Sequence, residues 1–396
     1  MNRVTSLVWG FFLLGLLAGC GGSGSNTSSG NNGGTPNNGP STLPAGTELL
    51  YVGDNVGVIH GFGVDPNSGN LTALPTVAAT NVAAAGDVGL AADAGGMVLY
   101  ATSDGVGGAN VLSFIISKST GTLSPSGSVT LSVPPRKLAA VEQNLYVIPD
   151  PSANSAEMFA FSIDPGTAAL TQLNPAITLP APANDLAVAG FGNNVPSWMG
   201  LAFEGNSGGE IQGIVRQPNG GATGLQLGSP TSSSGDSPQA IRVTPDGKFV
   251  VVVNQGTPSA ICTLNCVSVF SLDSGTGTLT EVPGSPFASG DGPGAVAIDP
   301  SGKFVFVGNT AGNSLSAYTI DTSGNLTPVA GTPVALGTNA QPSSIAADPG
   351  GKFVYVSIVG KQVAGFAIDA STGALTPLAG SPFSLGALAR DMVFVP

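Results

Sequence analysis

From residue 47 onward, short apolar runs alternate with clusters of Gly, Pro, Asp and Ser, and the alternation recurs about every 50 residues. One column of this repeat is an Asp-and-Gly turn feeding a β-branched and aromatic run. It reads Thr244-Pro245-Asp246-Gly247-Lys248-Phe249-Val250, then Asp299-Pro300-Ser301-Gly302-Lys303-Phe304-Val305, then Asp348-Pro349-Gly350-Gly351-Lys352-Phe353-Val354. A degenerate copy is Asp93-Ala94-Gly95-Gly96-Met97-Val98. A second column sets an aromatic in mid-strand, at Phe62, Phe114, Phe161, Phe270, Tyr318 and Phe366, with Ile214 in the remaining copy. A third centres on Leu71, Leu123, Leu170, Leu279, Leu326 and Leu375, each just after a hairpin, and its weakest copy spans residues 218–225. Short runs of this composition between turn formers are strands.

Each unit reads as four strands: a small apolar one (Val296-Ala297-Ile298), a second over 304–307, a third over 314–320, and an outer one beyond Asp321-Thr322-Ser323-Gly324. In such a hairpin the Asp side chain caps the turn and Gly takes φ > 0. One unit cannot cover its own sheet faces, so units must stack. The expectation is an all-β, seven-bladed β-propeller with four antiparallel strands per blade. Residues 48–52 begin the first unit with a second-type strand, and residues 391–395 end the chain with an inner-type strand. That last strand is expected to complete blade 1 and hide both open edges.

Charge narrows the function classes. The 396 residues carry 11 Lys+Arg against 23 Asp+Glu, a net charge of −12, which repels a phosphate backbone and excludes nucleic acid as a partner. The single His rules out multi-His metal centres and makes any Ser-His-Asp triad depend on His60, so neither metal nor cofactor is expected. His60 shares the parity of Phe62 in a third-type strand, which reads as a partly buried structural residue. Gly205-Asn206-Ser207-Gly208-Gly209 fits a nucleophile-elbow pattern, but that motif needs a strand-turn-helix context foreign to a propeller. Each Asp-x-x-Gly hairpin offers one carboxylate where calcium needs several oxygens, so turn chemistry explains these hairpins.

The N-terminus reads as an address. Arg3 precedes an apolar run over 7–18, too short for a bilayer core of roughly 30 Å and suited to a signal peptide. Leu17-Ala18-Gly19-Cys20 resembles the lipobox of bacterial lipoproteins, which implies lipidation of Cys20. The expected organisation is a signal peptide over 1–19, a lipidated Cys with a flexible Gly/Ser/Asn linker over 20–46, and a propeller over 47–396. Export as a monomer anchored to a membrane follows, on the periplasmic side of an outer membrane or the cell surface. In an oxidising compartment, Cys262 and Cys266 read as a local disulfide.

The Asp-Pro-Ser-Gly-Lys-Phe turn, and the connector Pro328-Val329-Ala330-Gly331-Thr332-Pro333 with kin at 283–286 and 377–382, resemble the lactonase family of seven-bladed propellers. That family includes propeller-type 6-phosphogluconolactonases, and YVTN-type surface propellers are similar. The resemblance implies a site at one mouth of the central channel, where active members resemble Pro-Arg-His at the start of an inner strand. Here Pro135-Arg136-Lys137 keeps Pro and Arg, with Lys in place of His, and Ala389-Arg390-Asp391 keeps Arg alone. By alignment of the repeats, Arg136, Lys137, Asn184, Asp185, Gln239, Arg390 and Asp391 are expected to converge there on a small anionic or carbohydrate ligand or a protein partner. The favoured reading is binding without catalysis, and the alternative is a lactonase-like hydrolase of a carbohydrate lactone.

Overall fold

The computed structural model describes residues 42–78, 87–104, 108–173, 176–189, 197–203, 210–216, 225–227, 231–232, 237–256 and 265–395. Cys20, the linker up to residue 41, the Gly-x-Ser-x-Gly match and Cys262 lie outside them. Cys266 opens the strand Cys266–Leu272 and is buried.

Antiparallel sheets succeed one another along the chain, each ordered from an inner strand outward. The inner strands are Leu90–Ala92, Pro135–Val141, Ala183–Ala189, Pro238–Val243, Pro293–Ile298, Ile345–Ala347 and, at the C-terminus, Ala389–Val395. Ala389–Val395 pairs with Glu48–Asp54, so the last strand lies in the sheet of the first. Among the described residues the one helical element is the 3-10 turn Pro151–Ala153, N-capped by the Asp150 side chain.

The expectation of seven uniform four-stranded blades is overturned: among the described residues six sheets carry five strands, and one, from Leu90–Ala92 to Leu123–Thr130, has four. In the six, the outer edge is split into two short strands that pair with opposite ends of the third. Leu326–Pro328 pairs with one end of Ser314–Ile320 and Val334–Ala335 with the other. The break falls on the 328–333 connector, where Gly331 has φ 82° and Pro333 has no N–H to offer the ladder. Leu123–Thr130 lacks that connector and runs on unbroken.

The core lies between neighbouring sheets. Phe249, Val251 and Val253 of one sheet pack with Val296, Val305 and Val307 of the next. The linker expected to end at residue 46 docks earlier: Leu43 N–H donates to Ser119 O at 2.7 Å, and its side chain packs on the cluster of Leu49, Tyr51 and Ile59.

A tyrosine latch recurs between sheets. The Tyr51 hydroxyl donates to Gly121 O at 2.8 Å, and the Tyr355 hydroxyl donates to Gly69 O at 2.5 Å across the seam between last and first sheets. The accepting glycine closes the next hairpin at positive φ, and a Cβ on Gly69 would lie 2.7 Å from the Phe353 ring. In the Asp164 hairpin the equivalent residue is Ala168, at φ 58°, packed in one cluster with Tyr100. The buried Tyr100 hydroxyl has no hydrogen-bond partner among the described residues. We attribute the lost bond to the Ala168 methyl. Ala168→Gly is expected to stabilise the fold by about 1–2 kcal/mol, by removing left-handed strain and restoring the bond. In urea unfolding, Tyr100→Phe should be neutral and Tyr51→Phe costly by about 1 kcal/mol. Equal losses in the two Phe variants would refute the latch.

Candidate functional site

Five of the inner strands start at one mouth of the channel with a shared irregularity. Pro149 pairs with Pro135 and Ile148 with Lys137, so Arg136 is left out of the ladder. The same step skips Asn184 between Ala183 and Asp185, Gln239 between Pro238 and Ala240, Gly294 between Pro293 and Ala295, and Arg390 between Ala389 and Asp391. A bulge re-aims the extra residue. Two consecutive residues of a strand can then both face the mouth, where a regular strand would present one.

A cavity of about 300 Å³ lies there, and all of Arg136, Lys137, Asn184, Asp185, Gln239, Arg390 and Asp391 line it. The residues drawn from the repeat alignment are thus brought together by the fold. Gly89 lines the same cavity, and the Arg136 carbonyl oxygen, which would sit 2.1 Å from any Cβ added there, leaves room for glycine alone. Sequence reasoning missed Arg242 and Asp87. Arg242 follows Ala240 at the strand period of two, so channel-facing parity along the inner strand was the signal that could have found it.

Four cations at this mouth each have a carboxylate. Arg242 Nη1 donates to Asp185 Oδ2 at 2.7 Å, and Arg390 Nε lies 2.8 Å from Asp87 Oδ1. Lys137 Nζ lies 3.3 Å from Asp391 Oδ1, and Arg136 Nη1 is 3.9 Å from Asp150 Oδ2. Both deep carboxylates are also fixed by the next sheet, since Leu90 N–H donates to Asp391 Oδ2 and Ile241 N–H to Asp185 Oδ2, each at 3.1 Å. Asp391 Oδ1 further accepts from Ser344 Oγ at 3.4 Å, so both its oxygens are engaged. On Asp185 the bonds fall on Oδ2, and among the described residues none falls on Oδ1.

Burial alone would lower the Arg242 pKa, but the charge and hydrogen bond of Asp185, with Asp391 beyond, outweigh it and raise the pKa. At the rim, burial followed by the charges of Asp87 and Asp150 pushes the Asp104 carboxyl up. Lys137, Asp185, Arg242 and Asp391 also border a second cavity of about 410 Å³ deeper in the channel, whose other lining residues are apolar, among them Ala92, Val188, Val243 and Val393. The two ion pairs therefore form a charged floor between a polar mouth and a channel lined by small apolar side chains.

His60 does not line the mouth cavity. Its Nε2 lies 2.8 Å from Oδ2 of the buried Asp54, which also accepts from Val56 N–H and Val58 N–H in the turn between two strands. Among the described residues no cluster of His, Cys, Asp and Glu is suited to a metal ion.

Residues 225–337 and 265–389 match the family model described as Lactonase, 7-bladed beta-propeller. Solved structures share the architecture over most of the chain. A Bacteroides fragilis protein assigned as a 6-phosphogluconolactonase superposes with TM-score 0.69 at 20% identity, over 89% of this chain and 99% of its own. The Pseudomonas aeruginosa periplasmic gluconolactonase gives a TM-score of 0.69 at 18% identity, over 88% and 99%. At such identities the likeness is one of fold. No curated protein matches the sequence. Over residues 225–389 the sequence is thus similar to the lactonase family, and the chain shares the β-propeller architecture of these solved structures.

Proposed function

We propose that the chain hydrolyses a carbohydrate lactone at the polar mouth, the reading that the relatives favour over binding alone. One observation carries it: four cations and an anchored carboxylate, Asp185, whose Oδ1 takes no hydrogen bond from the described residues, converge on one cavity of about 300 Å³. Lys137 stands where the resemblance calls for His, and it is tied to Asp391. Proton transfer therefore falls to Asp185. Water held by Asp185 Oδ1 adds to the lactone carbonyl carbon and gives its proton to the carboxylate. The guanidinium and ammonium groups of the cavity face the oxyanion as it forms. The ring C–O bond then breaks, the departing oxygen takes a proton back from Asp185, and an open-chain hydroxy acid results.

A screen of sugar lactones tests this. The native protein should open at least one, and Asp185→Asn, in protein checked to be folded, should lower kcat about 100-fold or more, the scale of losing a general base. Binding without turnover by the native protein would overturn catalysis and leave the adaptor reading.

The proposed setting is a membrane surface, through lipid on Cys20. Cys20→Ser should shift the protein from the membrane fraction to the soluble pool; retention after a carbonate wash would defeat the anchor.

A further inference from the structure

Resting on the lactonase reading, we propose that the mouth selects an uncharged polyhydroxylated lactone and rejects the phosphorylated form of the same sugar. The charge count at the mouth comes first. Among the described residues each of its four cations already has a carboxylate within 4 Å, two of them at 2.7 and 2.8 Å, so the four pairs bring no net positive charge to balance a phosphate dianion. A phosphate dianion would have to displace Asp87 from Arg390 or Asp150 from Arg136, and would leave that carboxylate beside it. Like charges brought together in an interface cost several kcal/mol. The rim adds to the barrier, since Asp87, Asp104 and Asp150 lie near enough that the other two push the Asp104 carboxyl up after burial has done so. The net charge of −12 opposes the approach of any anion at longer range.

The neutral groups point the same way. Asn184 Nδ2 is spent on Pro238 O at 3.0 Å, and Gln239 Nε2 on Ser237 O and Oγ at 3.2 Å. Gln239 Nε2 has both hydrogens spent and Asn184 Nδ2 one of its two, so what they have left to offer a ligand is chiefly their amide oxygens, which only accept. A sugar hydroxyl can donate to it, whereas a phosphate dianion has no hydrogen to give. Both the paired cations and the orientation of the amides thus suit hydroxyls.

The experiment compares initial hydrolysis rates for glucono-1,5-lactone and its 6-phosphate, with inorganic phosphate as a competitor. The neutral lactone should lead in kcat/KM by about tenfold or more, equivalent to about 1.4 kcal/mol, and phosphate should not compete. In Asp87→Asn/Asp150→Asn, with folding checked by thermal melting, kcat/KM for the phosphorylated lactone should rise about tenfold. A native preference for the 6-phosphate would overturn this selectivity while leaving the lactonase reading intact. No gain in a folded double variant would equally refute charge as the selector. Turnover of neither lactone, with no binding by calorimetry, would remove both the selectivity and the reading beneath it.

Discussion

Removing residues 389–396 is expected to abolish cooperative unfolding of the propeller. The strand Ala389–Val395 pairs with Glu48–Asp54 over six residue pairs, and its loss exposes one edge on the first sheet. Its side chains serve two cores at once. Met392 and Phe394 pack with Tyr355 of the preceding sheet, while Val395 packs with Leu99 and Phe114 of the following one. Asp391 is bonded to Leu90 N–H, and Ser343 Oγ to Ala389 O, so polar ties to both neighbours go as well. Burying a large side chain contributes about 1.5–3 kcal/mol. Three such side chains and a ladder of backbone bonds approach the whole stability of a domain, about 5–15 kcal/mol. Calorimetry of the full and truncated proteins should show one sharp transition and none; matching melts would mean that the ring does not depend on this strand.

The need for that strand was legible in the sequence, because the first repeat starts at its second strand and the chain ends on an inner-type run. The mouth residues were legible for a related reason. Once the repeats are aligned, one position in each copy must face the channel, and Arg136, Asn184, Gln239 and Arg390 occupy it. Two physical facts stayed hidden. The bulge that lets Asp185 and Asp391 face the cavity beside their neighbours is a register step with no residue signature, since Arg, Asn, Gln and Gly all occupy it. The split outer strands were hidden because a Pro-Gly connector reads equally as a loop after one strand or as a break within it. Arg242 was passed over for another reason: attention stayed on strand starts, and its meaning comes from Asp185, 57 positions earlier and in the preceding sheet.

The Arg242–Asp185 pair is where stability and function should come apart. Arg242→Met is expected to destabilise the fold by about 2–3 kcal/mol. That is below the roughly 3–5 kcal/mol for breaking a fully buried pair, because the guanidinium is 37% exposed toward the channel. The cost arises on the partner. Asp185, with a side chain 5% exposed, would keep its bond from Ile241 N–H and lose its counter-charge. Asp185→Asn in the same chain removes the stranded charge and keeps an amide oxygen for Ile241 N–H. The double variant should therefore recover to within about 1 kcal/mol of the native protein, a coupling of about 1–2 kcal/mol by urea titration. Lactone turnover should not recover with it, since the double variant has no carboxylate to take a proton. A pair that can be replaced at little cost in stability, but not in turnover, is held in the floor of the mouth for its chemistry. If the two single losses simply add, Arg242 and Asp185 do not act as a pair.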